Sequence, residues 1–456
     1  MRTLQAVILA AGEGTRMKSE LPKVLHPICG RPMVAYALQL VAATGVKQPI
    51  VVLGHGADAV KAHLPKEAKV VLQAKRLGTG DAVLSAAKPL QASGGHVLIV
   101  YADTPLLRRT TVQRLIETHF KTGATATLLT AHLADPSGYG RIARNEQGQV
   151  AGVIEEAEAN AAQRAIREIN VGPLLIQVAP LLEVLAAIGM SASKKERYLT
   201  NVITQLAKRD GVKIQTVRVE EAAEALGINS RADLARAAGI IRQRIVATHL
   251  SNGVTIEDPA TTYIDHGVTI GADSVIRPCT VIERDVTIGK RCAIGPFARV
   301  RSGVTIGEDV RVGNFVELVR TKIGARTRVG HVAYLGDALV GADVNVGAGT
   351  ITANYDGRQK FQTHIADGAF IGSDTVLIAP VKVGAKAVTG AGSVVTRAHD
   401  VPAKGVVVGV PARLLDGRAS LPPTAPRAAQ PAKPATPATP AKRATSKAAS
   451  RKSRAR

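Results

Sequence analysis

The chain has 456 residues, with 59 Lys and Arg against 36 Asp and Glu, for a net charge of +23. At roughly 150 residues per domain this is two to three domains, enough to bury large cores. Cys29, Cys279 and Cys292 form no CxxC pair and leave an odd thiol. That excludes a disulfide scaffold and a thiolate zinc site, and points to a reducing, cytoplasmic compartment. With no Trp and 3% aromatic residues, stacking platforms for bases or sugars are scarce.

In chain order, the apolar run from Ala6 to Ala11 follows a single positive charge, Arg2. It is too short for a signal-peptide core and reads as a buried first strand. Nowhere are there 18 consecutive apolar residues, so no membrane partner is expected. Residues 1–228 alternate between β and α patterns. Strands are predicted at Gln5–Ala10, Pro49–Leu53, Lys69–Leu72, His96–Val100 and Ala126–Thr130, with helices at Met33–Ala43 and Thr111–Thr122. This is a doubly wound α/β domain with a mostly parallel sheet, whose ligands sit at the carboxyl ends of the strands.

Asn229-Ser230 reads as a helix cap, followed by Leu234, Ala238, Ile241 and Ile245 on one apolar face. A connector helix over 229–250 therefore ends before Ser251-Asn252-Gly253. From Ile264 the pattern changes. Aliphatic residues recur every six positions through Ile270, Ile276, Ile282, Ile288, Ile294, Val300, Ile306 and Val312 to Leu318. The phase slips by one at Ile323 and again at Val340, breaks around Asn354-Tyr355-Asp356-Gly357, and resumes at Ile365. A period of six is no helix face. It fits a parallel β-helix over 251–412, one strand and one turn per hexapeptide, with Gly after the aliphatic residue relieving the turn. The loop 352–364 leaves this regular prism. Asn314, Glu317, Arg301, His331, Tyr334, Asn345, Asn354 and Tyr355 supply polar groups near it, so the prism is more than a spacer.

Residues 413–456 are expected to be disordered. Between Gly417 and Arg456 there are ten bases, no acid and almost nothing to bury. The stretch reads as a tether for nucleic acid or another acidic surface, or as a solubilising appendage; a charge run alone favours the appendage.

Two motifs carry chemistry. Leu9-Ala10-Ala11-Gly12-Glu13-Gly14-Thr15-Arg16 follows the first strand, and Lys23 comes seven residues after Arg16. The glycines let backbone N–H groups approach a triphosphate, while Arg16 and Lys23 can neutralise a pyrophosphate leaving group. No Gly-Lys-Ser/Thr closes the loop and the third glycine of a dinucleotide fingerprint is missing, so it is neither of those motifs. Asp103 closes the fourth strand. It serves either as a turn cap before Pro105 or as an oxygen ligand for Mg²⁺, and the neighbouring phosphate loop favours the metal.

These residues resemble the sugar-nucleotide pyrophosphorylases, and the hexapeptides resemble the left-handed β-helix acyltransferases. In this order, over roughly residues 4–412, they resemble the bifunctional N-acetylglucosamine-1-phosphate uridyltransferase/glucosamine-1-phosphate N-acetyltransferase family. The resemblance implies acetylation of glucosamine 1-phosphate by acetyl-CoA, then uridylyl transfer from UTP to N-acetylglucosamine 1-phosphate. The product would feed peptidoglycan and lipopolysaccharide synthesis. It implies that Leu9, Ala10, Ala11, Gly12, Lys23, Gln73, Gly78, Thr79, Tyr101, Ala102 and Asp103 contact the nucleotide, that Gly140, Glu155 and Asn170 hold the sugar, and that Asp103 and Asn229 bind Mg²⁺. In the second half it makes His331 the general base, a task for which imidazole suits neutral pH. Arg301, Tyr334, Asn345, Asn354 and Tyr355 would hold glucosamine 1-phosphate, Ala348, Ser373 and Ala391 would line the acetyl-CoA groove, and the prism would form a homotrimer. Three positions depart from the family pattern. Ala102 replaces a Gly, Val319 a phosphate-binding Lys, and Gly409 an Arg found in some members. Adjacent residues on a strand face opposite ways, which argues against Arg320 replacing that Lys. The rival readings are a monofunctional nucleotidyltransferase with a structural prism, and a nucleic-acid-associated scaffold working through the basic tail.

Overall fold

A computed structural model describes residues 3–75, 77–191 and 196–415. The basic stretch beyond residue 415 lies outside the described residues, as do the expectations placed on it, but Arg413–Leu414, expected to be disordered, instead pairs antiparallel with Val407–Val408 and closes the prism's sheet.

The predicted strands form at Leu4–Ala10, Ile50–Leu53, Lys69–Leu72, His96–Tyr101 and Ala126–His132, with helices at Met33–Ala42 and Arg109–Thr122. Sheet order runs Ile214–Arg218, Ala126–His132, Glu168–Gln177, His96–Tyr101, Leu4–Ala10, Ile50–Leu53, Lys69–Leu72. All neighbours are parallel except Glu168–Gln177, which is antiparallel to both of its own. Apolar clusters cover both faces. Val7, Leu9, Val97 and Ile99 point to one, and Ala6, Ile8, Leu98 and Val100 to the other, the strand alternation expected of a doubly covered sheet.

The connector helix spans Arg231–Ser251. Its cap is Ser230 rather than the Asn229-Ser230 pair: the Ser230 hydroxyl accepts from the Asp233 N–H, and the Asp233 carboxylate accepts from the Ser230 N–H. The helix packs Ile241 with Leu234, Ala238 and Ile245 against Ile28, Met33 and Leu106.

The prism begins earlier than the six-residue pattern shows. Thr255–Ile256 pairs with Val275–Ile276, ahead of Ile264, and the Asp258-Pro259-Ala260 insertion hides it from a fixed period. Every aliphatic position of the repeat from Ile264 to Leu318 lies in one continuous core, as do Ile323, Val340, Ile365, Ile371, Leu377 and Val383. The glycines that follow them act differently from expectation. A Cβ on Gly271 would lie 2.6 Å from the Lys290 nitrogen, and one on Gly289 2.7 Å from Gly307. Their lack of a side chain permits close approach between coils. The left-handed corners fall at other positions, among them Asp273, Asp285, Arg291, Asp309, Arg326 and Asp343, at φ between +56° and +61°, and glycines such as Gly267 and Gly303 that do not follow an aliphatic core residue. Short polar side chains tolerate that region better than most, and Arg291 and Arg326 are held there by ion pairs to Asp309 and Asp343.

Candidate active sites

After Ala10 the chain turns through a loop in which Gly14 has φ +69°, and a Cβ there would approach the Lys23 Cβ to 2.6 Å. Glycine at 14 lets this loop close on the short turn Lys23–Leu25. A Cβ on Gly12 would meet nothing within 4 Å, because its backbone borders open space. That space is a cavity of about 440 Å³ lined by Leu9, Ala10, Ala11, Gly12, Lys23, Gln73, Gly78, Thr79, Tyr101 and Asp103. It opens at the carboxyl ends of Leu4–Ala10 and His96–Tyr101, where a parallel sheet presents ligand-binding loops.

Glu13 and Thr15 of the glycine loop also line it, as do Glu196 and Tyr198, which sequence reasoning missed. Glu196 and Tyr198 reach the cavity because Arg197 pairs with the Gly78 loop, its carbonyl accepting from Gly80 and its N–H donating to Leu77. No local motif signals so distant a pairing. Two expected residues stand elsewhere. Arg16 is exposed on the turn Thr15–Met17 and does not line the cavity. Ala102 is buried in the core, its N–H donating to the Leu9 carbonyl, so the methyl that replaces a glycine hydrogen points away from the cavity.

At the cavity edge the Lys23 ammonium lies 2.5 Å from Asp103 Oδ2 and 3.3 Å from Asn229 Oδ1. The Ile228 N–H donates to the Asp103 carbonyl, which places Asn229 beside Asp103 at the head of the connector helix. A carboxylate and an amide oxygen thus converge on one cation. This hard-oxygen set fits Mg²⁺, which takes one or two protein oxygens and completes its shell with phosphates and water. Beside it, burial and the charges of Glu155 and Asp103 push the Tyr101 phenol well above its ordinary pKa against an opposing bond from Thr79, keeping it a hydrogen-bond donor. The sugar residues also gather here. The Asn170 N–H donates to the Gly140 carbonyl, a Cβ on Gly140 would come within 3.8 Å of Glu155, and Glu155 accepts from Thr200.

On the prism, strands Arg311–Val319 and Arg328–Gly336 run in parallel and place Asn314 beside His331. Asn314 Oδ1 can only accept, so His331 Nδ1 donates to it at 2.8 Å and Nε2 keeps its lone pair. Ala348, Ser373 and Ala391 occupy the same corner in the next coils: a Cβ on Gly347 would meet the Ser373 nitrogen, and one on Gly372 the Ala391 nitrogen. The expected acetyl-CoA residues therefore file along one edge below His331. Tyr334 and Asn354 lie over Gly336, where a Cβ would come within 2.6 Å of the Tyr334 hydroxyl and 2.8 Å of Asn354 Nδ2. Arg301 contacts Glu317 Oε1 at 3.3 Å. Asn345 is one coil on, in the strand paired with Arg328 and Val329, on the far side of the His331 bend from Tyr334. Tyr355 is exposed, its hydroxyl donating to the Gly357 carbonyl within the loop.

Val319 is buried beside Gly336. The strand-alternation argument against Arg320 does not apply, because Arg320 sits at φ +49°, past the end of the strand at a corner. Its guanidinium reaches Asp337 and lies near Tyr334.

Residues 6–200 match the MobA-like NTP transferase domain family, residues 285–320 the bacterial transferase hexapeptide family, and residues 362–397 the hexapeptide repeat of succinyl-transferase. The bifunctional protein GlmU of Geobacillus thermodenitrificans is 44% identical over 437 residues, 89% of this chain and 95% of the relative. The chain belongs to the bifunctional GlmU family. The GlmU proteins of Syntrophotalea carbinolica and Lactococcus lactis are 42% and 43% identical over 88% and 89% of this chain, and 93% and 95% of their own. Among solved structures, a UDP-glucose pyrophosphorylase complexed with UDP-glucose covers 54% of this chain and all of its own at 16% identity and a TM-score of 0.45. As a GlmU-family member the chain is a bifunctional transferase of a metal-dependent, acetyl-CoA-using class, with a nucleotidyltransferase half and an acyltransferase half. Among the described residues no helix is long and apolar enough to cross a membrane.

Proposed function

We propose that this chain makes UDP-N-acetylglucosamine in the cytoplasm by two transfers at two sites, the prism acting first. The glucosamine 1-phosphate amine attacks the acetyl-CoA thioester carbonyl, His331 Nε2 takes the amine proton, and the carbon–sulfur bond breaks to release coenzyme A. Arg301, Tyr334, Asn345, Asn354 and Tyr355 hold the amino sugar phosphate, and Ala348, Ser373 and Ala391 line the coenzyme's groove. In the α/β domain the phosphate oxygen of N-acetylglucosamine 1-phosphate attacks the α-phosphorus of UTP, and the bond to the β-phosphate breaks. The Leu9–Gly12 backbone binds the triphosphate, Lys23 and, swung in from its exposed turn, Arg16 neutralise the leaving pyrophosphate, and Gly140, Glu155 and Asn170 hold the sugar. Asp103 and Asn229 would hold Mg²⁺, which when bound neutralises phosphate charge at the α-phosphorus.

What carries the acetyl-transfer reading is His331, with Nδ1 committed to Asn314 and Nε2 free, at the head of the Ala348, Ser373 and Ala391 file. The proposal includes a homotrimer. His331 is exposed on a prism corner, and the same corner carries Phe297 and Phe315, 51% and 59% exposed and stacked at 5.3 Å, with Val332 next in file. A second copy packed on that apolar edge would supply the missing wall of the site.

The test is thiol release from acetyl-CoA with glucosamine 1-phosphate, in the unaltered chain and in His331→Ala, alongside pyrophosphate release from UTP. Acetyl transfer is expected to fall roughly 100-fold or more in the variant while uridylyl transfer is unchanged. No thiol release from an unaltered chain that still turns over UTP would leave a nucleotidyltransferase with a structural prism.

A further inference from the structure

The loop that interrupts the prism starts at Asn354 and rejoins the coil at Thr363, and one residue grips both ends. The Asp337 carboxylate accepts from Asn354 Nδ2, and the Asp337 carbonyl accepts from the Thr363 N–H at 3.1 Å. Asp337 is itself clamped by Arg320, whose Nε and Nη2 donate to its two oxygens at 2.6 and 2.7 Å. This planar fork fixes a carboxylate in orientation as well as place. The Arg320 fork, then Asn354 and the positive charge of Lys360, hold the Asp337 carboxyl below its ordinary range, so the acceptor stays ionised.

This fixes the chemistry that Asn354 offers. Asn354 is 6% exposed, and its amide has one donating and one accepting end. A carboxylate can only accept, so Asp337 takes the NH₂ end and leaves the carbonyl oxygen for a ligand. The amide lies over Gly336 next to the Tyr334 hydroxyl. Were Asp337 neutral or absent, nothing in that contact would stop the amide from rotating by half a turn and offering N–H instead.

We propose that Arg320 and Asp337 are positioning residues for acetyl transfer: through Asn354 they present a carbonyl acceptor that selects an amine-bearing sugar and orients its N–H. The proposal rests on the reading that glucosamine 1-phosphate binds at His331, Tyr334 and Asn354. Neither Arg320 nor Asp337 needs to touch substrate. The amine donates to Asn354 Oδ1, which turns its nitrogen lone pair toward the thioester carbon. A charge-assisted bond network of this kind is worth roughly ten- to 100-fold in binding.

The experiment measures KM and kcat for both substrates in full-length Asp337→Asn, Arg320→Lys, Asn354→Ala and the double variant Asp337→Asn/Asn354→Ala. Uridylyl transfer serves as the folding control. Asp337→Asn is expected to raise KM for glucosamine 1-phosphate roughly tenfold or more with KM for acetyl-CoA unchanged. Arg320→Lys, which keeps the charge but loses the fork, should fall between it and the unaltered chain. The double variant should be no worse than Asn354→Ala alone, because Asp337 acts through Asn354. Additive losses in the double variant, or an Asp337→Asn enzyme with unchanged KM, would overturn the relay. An Asn354→Ala enzyme with normal kinetics would instead remove the substrate-site reading on which the relay rests.

Discussion

His119 sits in the interior of the α/β domain with no exposed surface. It shares one hydrogen bond with His96 Nδ1 at 2.9 Å and another with Thr127 Oγ1 at 2.9 Å. Burial, reinforced by His96, pushes its pKa down to about 4. An unfolded imidazole titrates near 6.5, so as pH falls from about 6.5 towards 4 the unfolded chain takes up a proton that the folded one refuses. Stability is full above the unfolded value and declines through that window by about 3 kcal/mol in total. Denaturant titrations at pH 7 and pH 4.5 should show His119→Gln losing about 2 kcal/mol less between the two pH values than the unaltered chain. Equal losses would place the acid sensitivity elsewhere. No sequence signal marks this group, since a histidine in a predicted helix carries no hint of its depth. That Gly12, Lys23 and Asp103 border one cavity was legible because the glycine loop and Lys23 follow the first strand closely and Asp103 closes a neighbouring strand. Glu196 and Tyr198 were not, because their place depends on the backbone pairing of Arg197 with a loop more than a hundred residues earlier.

The elements show the same division. The prism was readable because six-residue spacing puts one aliphatic side chain per hexapeptide into a narrow core, and that core is built from the expected residues. The antiparallel strand Glu168–Gln177 was not anticipated. Gly172-Pro173 punctuates it, and its register with Ala126–His132 shifts between Asn170 and Leu174, so its pattern is broken where its fold is continuous. The role given to the prism glycines was also wrong, and the correction can be measured. Gly289 has ordinary backbone angles but no room for a Cβ against the next coil, whereas Gly303 has φ +81° and open space around it. Gly289→Ala forces neighbouring backbones apart and should cost about 3 kcal/mol, and Gly303→Ala, which only strains φ, about 1 kcal/mol. Thermal unfolding of the two variants decides it. A Gly303→Ala variant as unstable as Gly289→Ala would return the glycines to turn relief.

For the whole molecule, the proposed homotrimer bears on the two proposed sites in different ways. The nucleotide cavity is enclosed by one chain: loop, sheet end and connector-helix head all belong to residues 9–229. The residues proposed for acetyl transfer instead lie along an open prism edge, with His331 exposed next to Phe297, Phe315 and Val332. In a chain with five Phe, two of them stacked on one exposed corner beside the proposed catalytic imidazole support the proposal that a second copy covers this edge. Uridylyl transfer should therefore survive loss of the proposed trimer and acetyl transfer should not. Phe297→Asp/Phe315→Asp places two charges in the apolar seam, whose burial unpaired costs far more than the contact gains. Sedimentation should show the double variant as a monomer, with acetyl transfer down at least roughly tenfold and uridylyl transfer within about twofold of the unaltered chain. A variant that remains trimeric and active would show that the Phe corner faces solvent. A monomer that still acetylates would place the whole acetyl-transfer site within one prism and leave the exposed edge of His331 as the substrate's own entrance.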